Sequence, residues 1–216
     1  MRLSRRLAAL SLGTAAAVTA TLAVAPAASA SSHQKPKGTT SLASVLTADK
    51  KGFDRNDHDH DIVTAAVLAV LKAKPSSKVS VLTDGKTPVT AFIPNDRAFR
   101  LLVKDLSGTN PRAEKDVFAA VAKLGIPTVE TVLLYHVVPG ATITKSAALK
   151  SDGAKLKTAQ GGSITVDVYQ SRGTKLRLID ADRDDRDPRA VAFDINKGNR
   201  QIAHGIDRVL RPVNLP

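Results

Sequence analysis

The chain of 216 residues carries 32 Lys and Arg against 20 Asp and Glu, a formal charge of +12, with 43% hydrophobic and 24% charged residues. Fractions this ordinary exclude wholesale disorder and a polytopic membrane protein. The absence of cysteine removes disulfide frameworks, thiolate zinc sites, iron–sulfur clusters and cysteine nucleophiles, and 3% aromatic residues without Trp argue against stacked-base platforms.

A basic head at Arg2, Arg5 and Arg6 precedes an acid-free, Ala-rich run over residues 7–30. With small side chains at Ala28 and Ala30, residues 1–30 read as a secretory signal cut after Ala30. Ser4-Arg5-Arg6 leaves a twin-arginine route open beside the general secretory one. Cleavage removes three arginines and no acid, so the exported chain keeps a charge of +9. Residues 31–40 are polar, carry Pro36 and Gly38, and read as a flexible leader; residues 41–216 read as one domain. No later apolar run is long enough to span a bilayer, so a secreted product without membrane insertion is expected.

The first half of the domain has a helical period. Asp61 reads as an N-cap for Ile62, Val63, Ala66, Val67, Val70 and Leu71, with Pro75 ending the run. Asn95 opens a second helix with Phe99, Leu102, Val103 and Leu106 inward. A third covers residues 112–124 with Val117, Phe118, Val121 and Leu124 inward, and Thr128 caps a short fourth that ends at Tyr135 and His136.

The second half alternates with period two. Ile164, Val166 and Val168, then Leu176 and Leu178, then Val191, Phe193 and Ile195 mark half-buried strands separated by Gly-containing turns, which makes antiparallel hairpins the economical topology. With earlier strands at residues 79–82 and 89–93, the expected class is α+β, the helices lying mostly in the N-terminal half.

Three segments resemble the fasciclin-like domain family. Residues 90–99 (TAFIPNDRAF) are similar to its first signature, residues 133–140 (LLYHVVPG) to its Tyr-His segment, and residues 202–212 (IAHGIDRVLRP) to its closing signature. The resemblance implies a compact β wedge of mainly antiparallel strands packed on helices, and a non-catalytic adhesion or binding role outside the cell, with no cofactor. In some animal members the Tyr-His segment and an Asp-Ile pair are associated with receptor recognition. That points to Tyr135 and His136, with Leu134 and Val137 beside them, as binding residues. Asp194 and Ile195 are weaker candidates, since their flanks differ from the family pattern. The compact Ala-rich signal suggests a bacterial source, where an integrin-type partner is not the default.

Physical chemistry offers plainer readings of the same residues. A lone His among apolar neighbours usually satisfies a backbone group, so His136 reads as a hydrogen-bonding staple between the short helix and the first signature before it reads as part of a contact surface. His204 shares parity with Ile202 and Ile206 and should face inward, and Asp207 should hold a turn or a backbone amide.

Two acidic runs invite a metal reading. Residues 54–61 (DRNDHDHD) fail the EF-hand template, because no Gly stands at the sixth place and Ala65 and Leu68 occupy the places eleven after Asp54 and Asp57. A cap-rich helix entrance explains them, and a charged hairpin tip explains Asp180, Asp182, Asp184, Asp185 and Asp187, so no metal is assigned. The chain lacks a Gly-x-Ser-x-Gly elbow, a His-Glu-x-x-His motif, a phosphate loop and a dinucleotide fingerprint, and no enzyme activity is expected.

The expected function is therefore docking to a cell-surface or envelope component, protein or anionic polymer, with the basic surface supplying long-range attraction and nucleic acid excluded as a partner. Carriage of a small apolar or carbohydrate ligand between helices and wedge is the alternative, and hydrolysis of envelope polymers a further one.

Overall fold

The computed structural model describes residues 38–49 and 52–213. The described residues all belong to one compact unit. The expected signal and the leader up to residue 37 lie outside them. Residues 38–40, the end of the expected leader, are bound to the domain. Gly38 N–H donates to Gly198 O at 2.9 Å, Arg200 N–H donates to Gly38 O at 2.9 Å, and Thr40 N–H donates to Asn199 Oδ1 at 3.0 Å.

The helices are α1 (Leu42–Leu46), α2 (Asp61–Ala73), α3 (Asp96–Ser107), α4 (Glu114–Ala122), α5 (Ile126–Tyr135) and the short α6 (Lys145–Ala148). α2 buries Ile62, Val63, Ala66, Val67 and Val70, as their spacing predicts. Its N-cap is His60 rather than Asp61, and the His60 side chain makes no capping bond. Those first-turn donors are satisfied from α3 instead, where Asp96 accepts from Asp61 N–H at 3.2 Å and from Ile62 N–H at 3.0 Å. α3 opens as expected, with Asn95 Oδ1 accepting Ala98 N–H at 3.0 Å, and closes on Gly108 in the left-handed conformation (φ 67°). α5 begins two residues before Thr128, because Gly125 turns the chain and Pro127 sits in the first turn, where its missing N–H costs nothing.

The expected strand at residues 79–82 is a 3-10 helix (Lys78–Thr83). Ser77 Oγ accepts Val79 N–H at 3.2 Å, and Val79 and Leu82, three residues apart, turn inward together.

Among the described residues, seven strands form two sheets: β1 (Val89–Pro94), β2 (Val137–Pro139), β3 (Lys155–Lys157), β4 (Ser163–Gln170), β5 (Thr174–Ile179), β6 (Ala190–Ile195) and β7 (Gln201–Ile206). One sheet runs β2-β1-β7-β6 and the other β3-β4-β5. Neighbours are antiparallel except β1 and β7, which run parallel from Val89 opposite Gln201 to Pro94 opposite Ile206. The result is an α+β fold of three layers. Helices pack on one face of the four-stranded sheet through Val89, Ala91, Ile93 and Ala203. Its other face packs Phe92 and Ile206 against Ile164, Val166, Leu176 and Leu178 of the second sheet. Covered on both sides, β1 and β7 are buried at every residue.

β6 departs from simple alternation. Two register shifts against β7, between Ala190 and Ala192 and between Ala192 and Ile195, turn Val191 outward to 57% exposure, where period two placed it inward.

Candidate binding surface

The Tyr-His segment ends α5 and leads into β2. Tyr135 is 1% exposed, and its hydroxyl donates to Ser163 O at 2.8 Å, tying α5 to β4. Its ring lies so close to Gly162 that a Cβ there would stand 2.9 Å from Cε2. His136 is 4% exposed, with Nδ1 2.7 Å from Val132 O and Nε2 accepting Leu210 N–H at 2.9 Å. That pair of partners requires the neutral tautomer protonated on Nδ1. Burial pushes the His136 pKa down to about 4, against an opposing pull from the Val132 carbonyl, and burial pushes the Tyr135 hydroxyl up to about 12. Val137 is buried as well, and Leu134 is half-buried against the helical core. Where sequence pointed to Tyr135, His136 and Val137 as docking residues, the structure buries all three and engages their side chains in internal bonds and packing, which favours a structural role.

Asp194 and Ile195 sit on the bulged end of β6. Asp194 has φ 60°, its N–H donates to His204 Nδ1 at 3.3 Å, and its Oδ1 accepts Lys145 N–H at 2.7 Å. Ile195 packs against the helical core. His204 is fully buried between Phe92 and Phe193, with Nε2 donating to Ile143 O at 2.8 Å, and burial holds its pKa below the ordinary histidine value. The ring nitrogens of His136 and His204 are all engaged by main-chain groups, so neither imidazole serves as a catalytic base. Asp207 accepts Arg189 N–H at 2.7 Å, the backbone role expected of it.

The acidic run at residues 180–187 is not a hairpin tip, since β5 and β6 belong to different sheets. Arg211, 5% exposed at its side chain, contacts Asp105, Asp182 and Asp185, and Arg208 contacts Asp185, so these acids clamp the closing segment. The run at residues 54–61 meets Asp96 and Glu114, two acids that sequence separation hid. Burial first, then a hydrogen bond that protonated Asp96 donates to Asp59, raises the Asp96 carboxyl to about 8, and burial with neighbouring acids raises Glu114.

An apolar cavity between helices and wedge, lined by Phe99, Val132, His136 and Val209 among others, holds about 20 Å³. Ligand pockets are typically about 300–1,000 Å³, so this space does not fit the carrier reading.

A different feature is open to solvent. Beyond an isolated bridge between Arg177 of β5 and Arg189, which precedes β6, a groove of about 550 Å³ is lined by Lys145, Lys175, Arg189, Tyr169, Val191 and Phe193. Lys145 Nζ lies 5.0 Å from the Phe193 ring centre, and Arg189 lies 6.0 Å from that of Tyr169. Its one acid, Asp207, is already spent on the Arg189 amide. Three cations over aromatic and aliphatic walls can hold anionic groups by charge and the apolar faces between them by contact. In sequence these cations read as scattered over loops and strand faces, and only the fold brings Lys145, Lys175 and Arg189 together.

Comparison with known proteins agrees with the architecture. The Fasciclin domain model matches residues 64–212. A solved FAS1 domain pair from the insect cell adhesion molecule fasciclin I is similar, at 17% identity and a TM-score of 0.55, over 80% of this chain and 51% of that one. The chain thus spans about half the length of that pair, and the likeness concerns the fold. Curated proteins give no match. Fasciclin domains are adhesion and binding domains, generally non-enzymatic, and occur in extracellular or surface proteins. No single helix among the described residues is long and apolar enough to cross a membrane. With its model matching well over half of the residues and the three-layer architecture in place, the chain belongs to the fasciclin domain family.

Proposed function

We propose that this protein is exported and acts as a non-catalytic adhesion domain that docks onto an anionic polymer of a cell surface or envelope. The observation that carries this reading is the groove between β5 and β6, where Lys145, Lys175 and Arg189 stand over Tyr169 and Phe193. The formal charge of +9 that the exported chain keeps draws a polyanion toward the protein, and the groove supplies the contact. The Tyr-His corner ties α5 to β4 and to the closing segment behind it, through the bonds to Ser163 and Leu210.

Sedimentation of the protein with intact cells and with isolated envelope polymers, at low and near-molar salt, tests the reading. Binding above a charge-matched control, weakened by salt and by Lys145→Glu with Lys175→Glu, is expected. Equal binding by the control, or none, overturns it.

A further inference from the structure

Five carboxylates from four parts of the chain converge at the N-terminal end of α2. Asp61 opens that helix, Asp96 opens α3, Glu114 opens α4, and Asp54 and Asp59 come from the loop before α2. Oxygens of Asp61, Asp96 and Glu114 lie within 4.8 Å of one another, and so do oxygens of Asp54, Asp59 and Glu114. Glu114 belongs to both sets.

Proximity of acids alone means little, and Glu114 supplies the second observation. It is 1% exposed; Oε2 accepts Asp54 N–H at 2.6 Å, while Oε1 is buried with no hydrogen-bond partner. Oδ1 of Asp59 is buried and unpartnered in the same way. Among the described residues, no Lys or Arg forms an ion pair with Asp54, Asp59, Asp96 or Glu114. The contrast with residues 180–187 is direct, because there Arg208 and Arg211 neutralise the acids. A buried carboxylate oxygen without donor or counter-charge is costly, and a cation at this point removes the cost for several at once.

The size and chemistry of the cluster select the cation. Ca²⁺ takes oxygen ligands at 2.3–2.6 Å, which sets oxygens on opposite sides of the ion about 4.6–5.2 Å apart. A set of oxygens within 4.8 Å is on that scale. The nearby imidazoles stay out of it: His60 Nδ1 lies 3.0 Å from Pro94 O, and His58 is exposed. An all-oxygen, carboxylate-rich set suits Ca²⁺ and not zinc or copper. Asp49 and Asp61 line an open pocket of about 300 Å³ through which an ion can arrive.

We propose that Asp54, Asp59, Asp61, Asp96 and Glu114 form a Ca²⁺ site that ties the loop before α2 to the starts of α2, α3 and α4. The inference uses no residue of the groove, and either reading can fail without the other.

The test is calorimetric titration of the EDTA-treated protein with CaCl₂ and, in parallel, MgCl₂, together with thermal melts. One equivalent of Ca²⁺ is expected, bound more tightly than Mg²⁺, with a rise in Tm of about 3–5 °C at tenfold excess over Kd. Glu114→Gln, which keeps shape and removes charge, is expected to lower Ca²⁺ affinity at least about tenfold. Asp59→Asn provides the same reading should Glu114→Gln fail to fold, which circular dichroism reports. Absence of saturable heat with either ion, or full affinity in both variants, overturns the site. Tighter binding of Mg²⁺ overturns its assignment to Ca²⁺.

Discussion

The Leu210 N–H donates to Nε2 of His136 at 2.9 Å, joining the end of α5 to the closing segment across 74 positions of sequence. The bond exists only while the imidazole is neutral, because protonated Nε2 has no lone pair to accept it.

This gives His136 a defined pH signature. An unfolded histidine titrates near 6.5, whereas burial holds His136 near about 4. Between those values the unfolded chain binds the extra proton, so the contribution of His136 is complete above 6.5 and is lost as pH falls through about 4. The shift corresponds to about 3 kcal/mol. Asp180 and Asp96, raised by burial to about 7 and about 8, have the opposite slope in this window, so the wild-type curve mixes their contributions with that of His136. The informative quantity is the stability gap between wild type and His136→Gln from urea unfolding. It is expected to shrink between pH 7 and 4.5, and a gap that does not change with pH refutes the assignment.

Tyr135 serves the same corner through packing more than through its hydroxyl. Tyr135→Phe loses the bond to Ser163 O and is expected to cost about 1 kcal/mol, while Tyr135→Ala empties a fully buried site and costs about 3–5 kcal/mol. Polymer binding per folded Phe variant stays at the wild-type level. Paired urea and sedimentation measurements check this, and lost binding with intact stability contradicts the buried role.

Much of the fold was legible where one element's chemistry is local. The corner at residues 90–99 needs only Pro94, Asn95 and the inward spacing of Phe99, Leu102 and Val103, and the strands β4 and β5 alternate plainly. What escaped depends on distant partners. β2 and β3 have three residues each, too few to show a period, and exist because β1 and β4 pair with them. The parallel contact of β1 with β7 joins Val89 to Gln201 with no local mark. Val191 was misplaced because a bulge shifts parity without changing composition. The acids at residues 54–61 were visible as a cluster, yet Asp96 and Glu114 reach them only through the packing of three helix starts. For Tyr135 and His136 the apolar neighbours Leu133, Leu134, Val137 and Val138 carried the signal of burial, and it outweighs the receptor analogy.

Arg211 is expected to be the most sensitive charge in the closing segment. Its guanidinium lies 2.6 Å from Asp105, 3.1 Å from Asp182 and 3.1 Å from Asp185, and the Asp182 side chain is 1% exposed. Arg211→Met strands that buried carboxylate and is expected to cost about 3–5 kcal/mol in urea unfolding. Adding Asp182→Asn removes the stranded charge, so the double variant recovers at least about half of the loss. A double variant no more stable than Arg211→Met alone shows that packing, not charge, holds the segment.

Binding in the groove separates into a charge part and a contact part, which respond differently to salt. Lys145 and Lys175 are exposed, so their attraction for a polyanion is screened: the Debye length falls from about 10 Å at 0.1 M to about 3 Å at 1 M. Lys145→Glu with Lys175→Glu is expected to weaken polymer binding at least about tenfold at 0.1 M salt and less than about threefold at 1 M. Phe193 acts by contact, half-buried at the groove wall with Lys145 5.0 Å above its ring. Phe193→Leu keeps the packing against the inter-sheet core and removes the flat face, so its loss, about threefold to tenfold, persists at both salt concentrations. Equilibrium binding of the variants at the two salt levels, with melting temperatures as the folding control, reads both parts. Equal salt dependence for wild type and the double Glu variant places the cationic contact elsewhere on the surface and removes the groove from the proposed mechanism.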